Sequence, residues 1–473
     1  MDSSPAKYLR DETLLLAVIS IGVFMDGLDG AIVNVSLPQI AQDFGAEIGL
    51  ASLVITAYLI FLSGLMITFG KIASYRGAKK IYLGGIAIFT ASSLLCALST
   101  GIEMLIIFRS LQGIGAAMIA PTAIGIVAAE IPEERRGKSL GILVAASSFA
   151  FALGPVAGGI LTEYLSWHWI FLINIPIGVA AAALSMKYIP KSENIPGDNP
   201  KQRVNFDYAG SLLFLISVGI LIITLGMAGE EGPLSPSVII SLALCAALFY
   251  LFYRREKSAA DPVLDINIFR IPAFNSSTAT YMLIMGAFGG AVLMLPFYFQ
   301  YIRSWSPAMA GLALLIPSVV ITIFSPLGGI AADRYGARVV CIISGILATL
   351  GFLLTAFYSE TSTIIYIAAT LLLLGLGCGP VMSAGASGII SSAPAEKKEI
   401  ASGIMSTSVY LGTAIGTAAF TAIFSLFTRE AGSSVNPGTE AFIEGFMACF
   451  IAGTLFCLLA TLLAFKQRTK RIT

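Results

Sequence analysis

Gly70-Lys-Ile-Ala-Ser-Tyr-Arg-Gly77 and Gly329-Ile-Ala-Ala-Asp-Arg-Tyr-Gly336 are two versions of one eight-residue stretch: small residues that end a helix, a basic turn, then a glycine. Each follows a long apolar run, and the number of runs between them decides the architecture. Two repeats of six helices would place matching turns six helices apart. These two follow the second and the tenth run, eight apart, so two helices are inserted between the halves. The plan is six plus two plus six, and repeated halves are a common design for transporters with a substrate site near the bilayer midplane between them.

The rest of the chain supports a membrane reading. Its 473 residues include 28 Lys+Arg and 27 Asp+Glu, 12% charged against about 25% in a soluble domain. The mean hydropathy is +0.88. Apolar runs long enough to cross a bilayer fall at 14–36, 51–69, 81–98, 104–128, 140–161 and 169–184, then at 208–227 and 238–252, then at 279–299, 308–331, 339–357, 364–386, 403–426 and 446–465. The first is too long and too interrupted by acids for a cleavable signal peptide and reads as the first span. Residues 1–190 form one bundle, 191–272 the linker (192–206) with the inserted pair, and 273–473 the second bundle.

Basic residues fall in every second connection: Lys71, Arg76, Lys79 and Lys80; Arg135, Arg136 and Lys138; Lys191, Lys201 and Arg203; Arg254, Arg255 and Lys257; Arg334 and Arg338; Lys397 and Lys398. Lys7, Arg10, Lys466, Arg468, Lys470 and Arg471 mark the tails, while the alternate connections hold only Arg303 and Arg429. The positive-inside rule then puts both termini in the cytoplasm, across a cytoplasmic (inner or plasma) membrane, and requires an even number of spans. Six cysteines lie inside apolar runs without a CxxC pair, and there is one histidine. Disulfide frameworks, metal sites and histidine-based catalysis are therefore not expected.

Four motifs in the first half, and several beyond it, resemble the major facilitator superfamily, in particular its fourteen-span drug:proton antiporter branch. Leu28-Asp29-Gly-Ala-Ile-Val-Asn34-Val-Ser-Leu-Pro38 resembles LDxTxxNVALP; Gly70 to Lys79 resembles GxLADRxGRK; Arg109-Ser-Leu-Gln112-Gly113-Ile-Gly115 resembles RxxQGxG; and Gly141, Gly154-Pro155 and Gly158-Gly159 resemble the antiporter signature. Trp167-His168-Trp169-Ile-Phe-Leu-Ile-Asn174-Ile-Pro176, Phe206-Asp207, Pro262-Val-Leu-Asp265 and Gly412 with Gly416 extend the likeness over nearly the whole chain. The resemblance implies an all-α integral membrane protein of the major facilitator fold, with two six-helix bundles, two inserted central helices and fourteen transmembrane helices. It also assigns conformational roles to Gly70, Gly77, Lys79, Gly154, Pro155, Gly158, Gly159, Asp333, Arg334 and Gly336. Ser74 stands where the family's first loop usually has Asp, whereas the second copy keeps Asp333 and Arg334.

Deep charge is scarce. Only Asp26, Asp29 and Arg109 lie well inside a predicted span. Each costs about 2.5–3.5 kcal/mol at the bilayer centre, so none should face lipid and function is the default reading. Asp26 and Asp29 share a helix face. Asp29 and Arg109 lie at matching depths, about 13 and about 10 Å below the same surface. A carboxyl whose distance from Arg109 changes with conformation changes its proton affinity, so Asp29, with Asp26, is expected to carry protons; a static ion pair between spans one and four is the structural alternative. Asn34, Tyr58, Gln112 and Tyr281 are candidates for a substrate cavity or for interhelical hydrogen bonds. Gly113-x-Gly115 reads as a packing notch, Trp167 to Trp169 as an aromatic belt, and Arg136-Gly-Lys-Ser139 as no phosphate loop, because Pro132 replaces its first glycine.

These features predict a proton-coupled antiporter that exports hydrophobic or cationic compounds by alternating access. The proton gradient is its energy source. It has no cofactor, no metal and no nucleic-acid partner; its partners are the bilayer, a small-molecule substrate and protons, and it acts as a monomer. An exporter dedicated to one metabolite, peptide or lipid-like molecule is the alternative within the fold. A membrane-embedded enzyme lacks paired catalytic groups, and a receptor lacks an extramembrane domain.

Overall fold

Apolar runs of this length form helices in a bilayer because a helix satisfies every backbone donor and acceptor internally. In the computed structural model, which describes residues 5–190, 207–259, 262–429 and 438–467, fourteen helices are long and apolar enough to cross a membrane. The first half comprises α1 (Pro5–Phe44), α2 (Ile48–Arg76), α3 (Ala78–Ala97), α4 (Ile102–Glu130), α5 (Glu133–Tyr164), the short α6 (Trp169–Leu172) and α7 (Asn174–Tyr188), the last two forming one span. The inserted pair is α8 (Tyr208–Glu231) and α9 (Pro236–Ser258). The second half comprises α10 (Pro272–Phe297), α11 (Pro307–Tyr335), α12 (Ala337–Thr355), α13 (Ile364–Ser392), α14 (Lys398–Thr428) and α15 (Thr439–Phe465). The linker 192–206 and the tail residues Arg468, Lys470 and Arg471 lie outside the described residues.

Many helices outrun the hydropathy spans by a turn or more, since hydropathy falls at the first polar residues while backbone hydrogen bonding continues past them. Helix α9 continues beyond residue 252, and Glu256 is buried on it beside Asp207, the N-cap of α8. Span six is also not one helix; it breaks at Ile173.

The halves repeat each other in packing. In the first, α1 packs on α5 and α7, α4 on α2 and α3, and α3 on α7; in the second, α10 packs on α14 and α15, α13 on α11 and α12, and α12 on α15. Small residues set the approach. Gly154 and Gly158 of α5 lie against the backbone of α1 at Ala31 and Ile32, and Gly416 of α14 lies against Gly286 of α10. Close backbone approach of this kind is how helices associate where water supplies no driving force. The two basic turns also match: Gly77 has φ 90° and Gly336 φ 88°, values that favour glycine and end α2 and α11 alike.

Between the halves, α5 packs on α11 and α2 on α14, a second symmetric pair. We call the end where α1 begins and α15 finishes the terminal end, and the other the far end. Seals across the halves are found at the far end. Gly159 abuts the backbone of Pro307 and Ala308, Gly311 abuts Pro155, and the Glu163 carboxylate accepts from Ala308 N at 2.9 Å. A π-helical turn, Tyr298–Ile302, carries Gln300 Nε2 onto Val35 O (2.8 Å) and the Tyr301 hydroxyl onto Pro38 O (3.2 Å). Helix α8 lies over the α2–α14 seam: Leu215 fits against Gly64, and Gly229 against Ala422.

Candidate functional site

The deep charges gather where α1, α2, α4 and α7 meet. Asp29, Arg109, Gln112 and Asn174 are all buried, with relative exposures of 0, 1, 0 and 0%. Arg109 Nη1 lies 2.5 Å from Asp29 Oδ2 and 2.6 Å from Gln112 Oε1, and its Nε donates to Val54 O at 3.1 Å. Asp29 Oδ1 accepts from Gln112 Nε2 (2.9 Å) and from Asn174 Nδ2 (3.0 Å). Gln112 Nε2 also reaches Ser93 Oγ at 2.8 Å. One carboxylate is thus matched by a guanidinium and two amides from two helices, the satisfaction a buried ion needs.

Asp26 is placed differently. Among the described residues its one hydrogen-bond partner is the Tyr58 hydroxyl, 2.5 Å from Oδ1. The ring of the same tyrosine lies under the Arg109 guanidinium, 4.3 Å from Cζ to centroid. Tyr58 therefore joins two carboxyl sites whose helical spacing turns them to different neighbours. Tyr410 of α14, in the other half, comes within Coulombic reach of both Asp26 and Tyr281. The face of α1 that carries Gly30 is open, since no neighbouring element lies within 4 Å of the space a Cβ there would occupy.

The remaining candidates divide by contact. Asn34 donates to Gly30 O of its own helix at 2.9 Å. Tyr281 packs beside Gly385 in the second half. Lys79 Nζ donates to Met186 O (2.8 Å) and to Ile189 O, closing the C-terminus of α7. The Ser74 hydroxyl turns back onto Lys71 O at 2.7 Å, so the position that usually carries an acid makes a local bond here. Lys71 instead reaches Pro262 O at 2.5 Å. Asp333 and Gly336 help line a cavity of about 760 Å³ at the terminal end of the second half, together with Arg338 and Gln467, while Arg334 lies over the ring of Tyr335. The aromatic-belt reading needs correction at Trp167, which is 2% exposed, stacks on His168 and donates to Asp43 at 2.8 Å; Trp169 is exposed. Asn174 and Tyr410 had no role in the sequence reading. Asn174 sits within a quoted motif, a signal that was available, whereas nothing local marks Tyr410.

The Major Facilitator Superfamily model matches residues 19–300 and 277–472, nearly the entire chain. The chain belongs to this superfamily. It is therefore a multi-pass membrane transporter and not an enzyme. The riboflavin transporter RibZ of Clostridioides difficile is 29% identical over 451 residues, covering 94% of this chain and 96% of that protein. The multidrug resistance protein Stp of Mycobacterium tuberculosis is 31% identical over 437 residues, 91% of this chain and 79% of the relative. Among solved structures, a bacterial homologue of the human lysosomal transporter Spinster, inward-facing and unoccupied, superposes with a TM-score of 0.69 at 13% identity, covering 99% of this transporter and 100% of that chain.

Proposed function

We propose that the chain is a proton-coupled antiporter that exports hydrophobic or cationic compounds across the cytoplasmic membrane, with both termini in the cytoplasm. The observation that carries this reading is the inequality of the two acids. Asp29 has a guanidinium and two amides; Asp26 has one phenol and lies within Coulombic reach of Tyr410 in the other half. In this reading Asp26 exchanges the proton, and the Asp29–Arg109 pair beside it sets the charge it works against. A proton or a cationic substrate neutralises Asp26 equally well, and the two exclude each other, which is the condition for exchange. Each returning proton supplies about 2.3 kcal/mol per 100 mV of membrane potential. Names among the relatives, including a multidrug efflux pump of Mycolicibacterium smegmatis and a tetracenomycin C resistance and export protein of Streptomyces glaucescens, support export of drug-like compounds.

A second reading, a transporter dedicated to one metabolite, is favoured by the riboflavin transporter's coverage of almost the whole chain. Proteoliposomes holding a pH-sensitive dye separate the two. Proton movement on addition of several unrelated lipophilic cations, lost in Asp26→Asn, supports the antiporter. Movement with riboflavin alone supports the dedicated transporter, and silence with every compound refutes proton coupling.

A further inference from the structure

The basic turn recurs in both halves, but its last basic residue is used differently in the two. Gly77-Ala78-Lys79 and Gly336-Ala337-Arg338 open α3 and α12 alike. In the first half Lys79 Nζ donates to Met186 O at 2.8 Å and to Ile189 O, and so ties the start of α3 to the end of α7. The matching helices of the second half, α12 and α15, also pack on each other. Arg338 makes no such tie: among the described residues it has neither a hydrogen bond nor an ion pair. It lines instead, with Gln467 two residues past the end of α15, the cavity of about 760 Å³ at the terminal end. Small-ligand sites span about 300–1,000 Å³.

The walls hold donors that lack acceptors. Ser277 of α10 is 2% exposed and Gln467 6%, and both side chains line the cavity without a hydrogen-bond partner among the described residues. Buried polar groups are ordinarily paired. Ser387 of α13 adds a further unpartnered hydroxyl, and Ala337 with Arg338 brings the N-terminus of α12 into the wall. A guanidinium, hydroxyls, an amide and a helix N-terminus around one space form an oxyanion site, and the planar guanidinium fork matches phosphate oxygens in particular. Asp333 lines the same space and repels further negative charge, which limits the anion to a low charge. We propose that the cavity is a phosphodiester site, where Arg338, Ser277 and Gln467 hold a singly charged phosphate that ties α12 to the end of α15, as Lys79 ties α3 to α7. The headgroup of an anionic lipid and a soluble diester offer the same chemistry, and basic pockets between membrane helices are recurrent headgroup sites. The site is independent of which compounds the transporter carries.

Full-length protein in dodecyl maltoside, a phosphate-free detergent, is titrated with phosphatidylglycerol and, separately, with its deacylated soluble diester, glycerophosphoglycerol. Cys341 is the reporter: it is 1% exposed and packs with Ala332, a wall residue, and with Ala464 near the end of α15. Alkylation of Cys341, read by peptide mass spectrometry, is expected to slow about ten-fold at about ten times the ligand's dissociation constant, because alkylation needs an opening that the ligand opposes. Arg338→Gln is expected to remove the protection and Arg338→Lys to restore part of it. Gln467→Leu keeps the guanidinium, is expected to weaken binding about three-fold, and gives a reading that does not depend on the folding of Arg338→Gln. The control Arg254→Gln, an exposed base on α9 at the same end, is protected like the native chain. Protection by the lipid alone assigns the site to a headgroup, and protection by both ligands assigns it to the diester itself. No protection of the native protein by either ligand overturns the site. So does full protection in both Arg338→Gln and Gln467→Leu, or a loss in Arg254→Gln equal to that in Arg338→Gln.

Discussion

Replacing each acid in turn separates the two carboxyl sites by stability as well as by transport. Asp29→Asn removes the charge facing Arg109, a side chain that is 1% exposed and whose remaining acceptors are the neutral Gln112 Oε1 and Val54 O. An uncompensated buried cation costs about 3–5 kcal/mol. Asp26→Asn keeps an oxygen that accepts the Tyr58 hydroxyl, so one hydrogen bond is weakened, about 0.5–1.5 kcal/mol. Against a total stability of about 5–15 kcal/mol, the first change approaches the margin and the second does not. The buried thiols of Cys96, Cys245, Cys341, Cys378, Cys449 and Cys457 report unfolding directly when a thiol-reactive dye is present during heating. Asp29→Asn is expected to lower the midpoint severalfold more than Asp26→Asn. Asp26→Asn should fold normally and lose proton-driven exchange. Equal midpoints for the two variants would show that Arg109 is compensated elsewhere, and full exchange in Asp26→Asn would remove that residue from the coupling.

Other consequences follow from the packing and from the charges at the terminal end. Gly159→Val places a side chain against the backbone of Pro307 and Ala308, at a cost of about 1–3 kcal/mol to the far-end seal. Thiol labelling of Ser306→Cys from the far side should then accelerate. Gly115→Ala sets a Cβ 2.7 Å from Phe89 N and should destabilise by about 1–3 kcal/mol in the same dye assay, with α3 and α4 forced apart. Between α9 and α10, the hydrogen bond from Lys397 holds the Asp265 carboxyl below its usual range. The stabilisation is present above the unfolded value of about 3.9 and is lost as pH falls through the lowered folded value. The pair is partly exposed and is worth about 0.2–1 kcal/mol. Amide protection over Ile266–Arg270 should therefore hold from neutral pH down to about 4 and decline below it, and Lys397→Ala should shrink that acid-dependent decline, leaving the part that the Asn267 hydrogen bonds to Asp265 supply. A decline of equal size in the variant would place its cause elsewhere.

Fourteen spans, two halves and the position of the insertion were legible because hydropathy and the repeated turns are local properties. Gly77 and Gly336 each end a helix at a positive φ, so their recurrence in sequence is a recurrence in structure. The same locality set the errors. Hydropathy placed the end of the second inserted span at residue 252 and so left Glu256 outside it, although helical hydrogen bonding carries on to Ser258. Trp167 looked interfacial because a tryptophan at a span's edge usually is; only packing against Phe44, Phe171 and Asp43 buries it.

The sequence by itself determined which charges lie deep in the bilayer, because a charge among apolar neighbours is expensive wherever the helix sits. It could not say that Asp26 and Asp29, three residues apart on one helix, would have unequal partners, because those partners come from α2, α4 and α7 and their contacts exist only once the helices pack. Nor could it say what the inserted pair covers. Hydropathy describes α8 and α9 as two more apolar helices; the small residues Gly64 and Gly229 decide where α8 fits, and that fit lays it over the seam between α2 and α14.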